Sequence, residues 1–175
     1  MPPPFPVELK PHDPEWADAA EREAGRLGAV LGHVLVRVHH IGSTSIPGLV
    51  AKPILDLIPV VRSIEDLDRT QDRLKALGYQ WWGEFGLPGR RYCSLVDEVS
   101  GKRLVQLHCY ADGSPEIMRH LAFRDYLKAN PELVAAYEAV KRRCAEAHPD
   151  SSHAYGDCKG EWIRRVEAEA LAALG

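Results

Sequence analysis

No stretch of this 175-residue sequence approaches the roughly 18 apolar residues of a membrane-spanning helix, so an integral helical membrane protein is excluded. The N-terminus, MPPPFPVELKPHDPEW, has neither the basic start nor the apolar run of a signal peptide, and its prolines predict an extended lead-in. CxxC pairs are absent, and the four cysteines, Cys93, Cys109, Cys144 and Cys158, lack metal-finger spacing. That pattern fits reduced thiols better than a disulfide framework and, with no leader, points to the cytoplasm. There is no excess of positive charge either. A net charge of −3 gives no overall pull toward long nucleic acid or an anionic membrane, so neither is expected as a partner; a smaller polyanion would need a local basic patch.

No internal repeat or low-complexity tract breaks up the chain, and with 45% hydrophobic and 27% charged residues it has the composition of one sizeable core; residues 1–175 read as a single domain. Helical spacing of Trp16, Ala20, Leu27 and Leu31, after the start signal Asp13-Pro14, predicts a helix over 15–31. Val34 to Ile41 alternates with period two and is rich in β-branched residues, which predicts a strand. A Gly- and Pro-containing loop then leads into the apolar run 53–58, a second strand. Ser63 and Asp66 resemble a capping box, opening a second helix that Gly78 closes. Strands are expected at 79–82, 91–96 and 103–110, the last two joined by a hairpin at Ser100 and Gly101. Ser114-Pro115 and Asn130-Pro131 open helices of about 13 and 17 residues, and a last helix is expected from about 161 to 174.

Chemistry concentrates in HIGSTSIPGLVAKPILD (40–56), where one strand delivers a Gly-Ser turn and the next a carboxylate. Gly42 lets the backbone approach a phosphate, the amides and hydroxyls of Ser43, Thr44 and Ser45 can donate to its oxygens, and Lys52 adds a point charge. Asp56 on the adjacent strand would hold a divalent metal bridging those phosphates. A Walker loop is ruled out because Leu49, not Lys, follows Gly48; a nucleophile elbow is ruled out because Ser43 follows Gly42 directly. The alternative is a tight loop whose hydroxyls cap local backbone, with Asp56 meeting a buried cation. Arg90 and Arg91, behind a Gly-Pro-Gly loop, are candidate phosphate clamps or solvated loop charges. His120, Arg124 and Lys128 form a basic helical stripe, more often a solvated face than a cleft lining. Trp81 and Trp82 fit a half-buried strand better than a base-stacking site.

An ordered set of motifs spans nearly the whole chain: Trp16, HIGSTSIPGL (40–49), AKPILD (51–56), GLPGRRY (86–92), GSPE (113–116), HLAFRDYL (120–127), Tyr137 to Lys141, and Lys159. This set resembles the GrpB (UPF0157) family, grouped with the nucleotidyltransferase superfamily. The resemblance implies an α/β (α+β) fold, with a nucleotidyltransferase-like mixed β-sheet flanked by helices and further helices at the C-terminus. Gly42 and Ser43 match the superfamily's hydrophobic-Gly-Ser element, with Asp56 at the expected spacing and Lys159 among the phosphate-binding candidates. The superfamily pattern continues Asp-x-Asp/Glu, whereas this chain reads Asp56, Leu57, Ile58, so a metal carboxylate is missing. The segment expected to supply a third carboxylate offers Gln106 and His108 instead. Asp56 with His108 would hold Mg, Mn or a softer ion such as Zn.

Two functions stay open. One is metal-dependent nucleotidyl transfer to a small-molecule or protein acceptor. The other is a non-catalytic sensor of a nucleotide or phosphorylated small molecule, with a link to coenzyme A metabolism suggested by the fusion of such domains to dephospho-CoA kinase.

Overall fold

A computed structural model describes residues 2–175. Helix α1 (Glu15–Leu31) leads into strand β1 (Leu35–Ile41), which returns through the Gly-Ser turn to β2 (Leu55–Val61). Helices α2 (Ile64–Arg69) and α3 (Gln71–Ala76) and strands β3 (Gln80–Trp81), β4 (Arg91–Val96) and β5 (Arg103–Ala111) follow. Helices α4 (Pro115–Ala129), α5 (Pro131–Ala147) and α6 (Ser152–Ala173) complete the chain. The strands form one five-stranded sheet in the order β1-β2-β5-β4-β3. Only β2 and β5 run parallel, so the sheet is mixed.

Period-two alternation in β2 sets the two layers. Leu55, Leu57 and Val61 pack beneath α1 and α3 with Leu27, Leu31, Leu74 and Leu107. Ile58 and Val60 point to the opposite face with Ile41 and Tyr110, against Ile117 and Leu121 of α4. Helices α4, α5 and α6 hold a further cluster around Leu127, Tyr137, Tyr155 and Val166. Asp56 projects to this second face and stands opposite Ile41 of β1 and Gln106 of β5. The turn at Gly42 and the carboxylate of Asp56 therefore meet at one end of the sheet.

Three features depart from the sequence-based expectations. The second helix is broken at Thr70, whose hydroxyl bonds back to the carbonyls of Asp66 and Leu67 and takes over donors the next turn would supply. Helix α6 begins nine residues earlier than expected, where the Ser151 hydroxyl accepts from the Ala154 amide as an N-cap; Gly156 and Gly160 lie inside the helix rather than ending it. Third, the four cysteines are not all reduced: Cys144 and Cys158 form a disulfide between α5 and α6, while Cys93 and Cys109 are free and buried. Sequence spacing missed this pairing because it depends on two helices packing side by side. The cytoplasmic expectation loses its cysteine argument accordingly. Among the described residues no helix is long and apolar enough to cross a membrane.

The proline-rich lead-in is extended and pinned. Phe5 and Ser152 exchange backbone and side-chain hydrogen bonds, Val7 donates to the Pro149 carbonyl, and Lys10 pairs with Ala51. These contacts seat Phe5 beside Lys52.

Candidate anion-binding site

Gly42 adopts φ of 71°, a left-handed conformation that glycine tolerates best. A Cβ there would lie 2.7 Å from Asp56 Oδ2, so the close approach of turn and carboxylate also requires glycine. A short 3₁₀ turn, Ser43–Ser45, follows. The Ser45 hydroxyl donates to the Gly42 carbonyl and is committed to the turn. Thr44 Oγ1 bonds His40 Nε2 at 2.8 Å; burial pushes the His40 pKa down to about 4, so the imidazole is neutral at pH 7.

Asp56 Oδ1 accepts from His108 Nε2 at 3.1 Å. Burial works against its ionisation, but the His108 hydrogen bond and charge, with Lys52 and Lys159 behind them, outweigh it and hold the carboxyl below its ordinary value. The far nitrogen of His108, Nδ1, is buried without a partner among the described residues. His120 packs next to His108, with ring centroids 5.9 Å apart, and burial lowers its pKa to about 3.

Above Asp56 lies a pocket of about 170 Å³ lined by Ser43, Thr44, Gln106 and Tyr155, together with Lys52, Lys141 and Lys159. Asp56 is the one carboxylate on its wall. None of the three lysines has a carboxylate within 4 Å among the described residues. They rest on aromatic faces instead: Lys159 Nζ is 4.3 Å from the Tyr155 centroid, Lys52 is 5.3 Å from the same ring, and Lys141 is 5.1 Å from Tyr137. Burial, then the neighbouring charge of Lys159, lowers Lys52 to about 8. Burial also lowers Lys159 to about 8 against the pull of Asp56, and drives Lys141, 1% exposed, well below its ordinary value. Each ammonium is thus stacked and desolvated beside others of the same sign, an arrangement that an anion would relieve.

Of the residues singled out from the sequence, the structure brings Ser43, Thr44, Lys52, Asp56 and Lys159 to this pocket, with His108 behind Asp56. Gly42 and Ser45 shape the turn. Arg90 and Arg91 do not reach it. Arg90 donates to the carbonyls of Glu84 and Phe85 and stacks near Phe85 and Tyr92, fastening its own loop. Arg91, one residue on and so on the opposite sheet face, forks onto both oxygens of Asp68 at 2.6 and 2.8 Å. In the basic stripe, Arg124 donates to the His40 carbonyl and pairs with Asp125, away from the pocket. Trp82 donates to Ser94, and Trp81 packs against the core. Sequence reasoning left Lys141 and Tyr155 out of the site. Lys141 follows Tyr137 at i+4, a spacing that places both on one helix face; Tyr155 lay in the part of α6 read as loop.

The metal donors do not fit a two-metal centre. Ile58, where the second carboxylate would project, is fully buried in the apolar cluster with Ile41 and Tyr110. On β5, where a third carboxylate is expected, Gln106 stands opposite Asp56 and His108 bonds it. Among the described residues no three His, Cys, Asp or Glu side chains are grouped for a metal. Lysines rather than further carboxylates stand with Asp56 in the pocket wall.

This mixed sheet with its turn and strand carboxylate is a nucleotidyltransferase-like fold. It superimposes on the Cid1 poly(U) polymerase solved with Mg 3'-dATP at a TM-score of 0.55, over 79% of this chain and 43% of that one, at 14% identity. The chain belongs to the GrpB family, whose pattern, described as GrpB protein, matches residues 6–169. The crystal structure of conserved protein GrpB from Enterococcus faecalis matches with a TM-score of 0.88 and 41% identity over 95% of this chain and 99% of that one. UPF0157 protein YqkA of Bacillus subtilis (strain 168) is 43% identical over 94% of this chain, which spans 47% of YqkA. A dephospho-CoA kinase of Mycolicibacterium paratuberculosis is 31% identical over 91% of this chain, which spans 44% of that protein.

Proposed function

We propose that the pocket binds the phosphate end of a nucleotide or other phosphorylated small molecule, with the three lysines, Ser43 and Thr44 supplying charge and hydrogen bonds. The observation that carries this reading is the convergence of Lys52, Lys141 and Lys159 on a cavity with a single carboxylate. Like charges are gathered there at the expense of the empty fold, and a polyanion is the ligand that compensates them. Gly42 leaves the turn open enough for close approach, and Asp56 fixes His108. The site reads as that of a binding or sensing protein more than a two-metal transferase, because the missing carboxylates are replaced by a core isoleucine and a glutamine. Coenzyme A precursors belong in the ligand screen, given the relatives named dephospho-CoA kinase.

Calorimetric titration with pyrophosphate, ATP and coenzyme A precursors, each in chelator and in Mg²⁺, tests the proposal. Binding should persist in chelator, and Lys52→Gln should weaken it by about tenfold or more. Absence of any anion binding in chelator would overturn it. The Asp56–His108 pair favours a second reading, metal-assisted transfer of a nucleotidyl group to a small-molecule or protein acceptor with Mg, Mn or Zn at Asp56. On that reading nucleotide binding appears only with the metal and is lost in Asp56→Ala.

A further inference from the structure

Beside the lysine pocket lies a second groove of about 300 Å³, walled largely by Phe5, Pro6, Pro53, Ile54 and the stem of Arg103. The two share Lys52 and Ile54 as lining residues, so they adjoin each other across that pair. The pocket alone, at about 170 Å³, lies below the roughly 300 Å³ at which small-molecule sites begin. It is polar-walled and sized for phosphate groups rather than for the molecule that bears them.

In the groove, with Lys52 on the same Phe5 ring, stands Arg103. A register shift between Leu95 and Val96, opposite Leu104, alters the strand pairing next to it, and its Nη1 donates to the Tyr92 hydroxyl at 3.1 Å. Its guanidinium carbon lies 5.1 Å from the Phe5 ring centroid, and Lys52 Nζ lies 5.0 Å from the same ring. Arg103 Nε is buried without a partner, and no carboxylate lies within 4 Å of the guanidinium among the described residues. The one carboxylate in the groove, Glu8, pairs with Lys10 and Lys102. A desolvated donor on a cation with no counter-charge disfavours the empty state, and an anionic oxygen would satisfy both needs.

We infer, building on the phosphate reading of the lysine pocket, that the groove holds the organic body of an organic diphosphate or triphosphate. The terminal phosphates then lie among the lysines, and Arg103 takes the phosphate nearest the body. Phe5 and the two prolines give that body an apolar bed, and the fastening of Phe5 to Ser152 keeps the bed in place without the ligand.

Inorganic tripolyphosphate is the reference probe. It is compared by calorimetry with a panel of nucleoside triphosphates and alkyl and isoprenyl diphosphates, on the wild-type chain, Pro6→Trp and Arg103→Gln. Pro6 is exposed, so the indole should fill the groove with the melting temperature unchanged. At least one organic probe should bind about tenfold more tightly than tripolyphosphate, and Pro6→Trp should erase that advantage while tripolyphosphate stays within about twofold. Arg103→Gln should weaken tripolyphosphate and the organic probes more than inorganic monophosphate. If no organic probe exceeds tripolyphosphate and Pro6→Trp changes nothing, the groove inference falls while the lysine-pocket reading stands. If tripolyphosphate itself does not bind, both fall.

Discussion

Replacing Lys159 by methionine should make the empty protein more stable. Methionine keeps an unbranched side chain of similar reach beside Tyr155 and Tyr137, whose rings the ammonium faces, and removes the charge. The ammonium's pKa falls from an ordinary 10.5 to about 8. At about 1.36 kcal/mol per tenfold change in proton affinity, keeping Lys159 protonated at neutral pH disfavours the fold by roughly 3 kcal/mol. Solvent reaching the open side of the pocket screens part of this, and about 2 kcal/mol is the expected gain, or roughly 4–8 °C in melting temperature for a chain of this size. The pH dependence follows with a definite sign. Between the folded value near 8 and the unfolded value of 10.5, the unfolded chain binds more protons, so wild-type stability rises with pH across that window; below pH 8 the full penalty applies. Lys52, also near 8, adds to the same rise. Anion affinity should move the opposite way and fall as pH passes about 8, because the ligand needs the protonated amines. Urea unfolding from pH 7 to 10, for wild type and Lys159→Met, with pyrophosphate titrations alongside, provides the measurement. A variant that melts lower than wild type at pH 7, together with a flat wild-type profile, would refute the argument from crowded like charges.

Three further outcomes are expected. Gly42→Ala should cost about 2 kcal/mol or more in urea unfolding and abolish anion binding, since the new Cβ meets Asp56 at 2.7 Å in a left-handed backbone. Ile58→Asp, which restores the superfamily carboxylate pattern, should lower stability by about 3–5 kcal/mol without creating Mg²⁺ affinity, because the side chain is fully enclosed by Ile41, Val60 and Tyr110; calorimetric Mg²⁺ binding by a folded variant would show this wrong. Tyr79→Phe should destabilise by about 1–3 kcal/mol in the same unfolding assay by taking from the buried Glu23 the hydroxyl that donates to it, with anion binding unchanged.

Much of the frame was legible because local signals were strong and unopposed. The periodicity over 15–31 and the Pro-started helices at 115 and 131 reappear where expected, and the alternation in 34–41 and the Gly42-to-Asp56 spacing place turn and carboxylate together. What escaped the sequence depended on partners distant along the chain. Thr70 splits a helix whose apolar face reads as continuous. The start of α6 is fixed by Ser151 and by Phe5 from the other end of the chain, against two glycines that argue for a loop. Arg90 and Arg91 read as phosphate clamps or solvated loop charges, yet loop carbonyls and Asp68 hold them. Lys141 ends a motif of the family resemblance, yet nothing local marks it as a site residue; only the packing of α5 and α6 beside the Gly-Ser turn turns it inward.

That packing is held by the bond between Cys144 and Cys158. Lys141 lies one helical turn before Cys144 on α5, and Lys159 directly follows Cys158 on α6. Two helices whose inward amines repel would lower their energy by splaying apart. A crosslink closing a 14-residue separation restricts the unfolded chain by about 3 kcal/mol in the chain-entropy account, comparable to the electrostatic load of one of those lysines. The disulfide therefore acts as a tension member between the helices that carry Lys141 and Lys159, limiting by covalent geometry how far the two amines can separate.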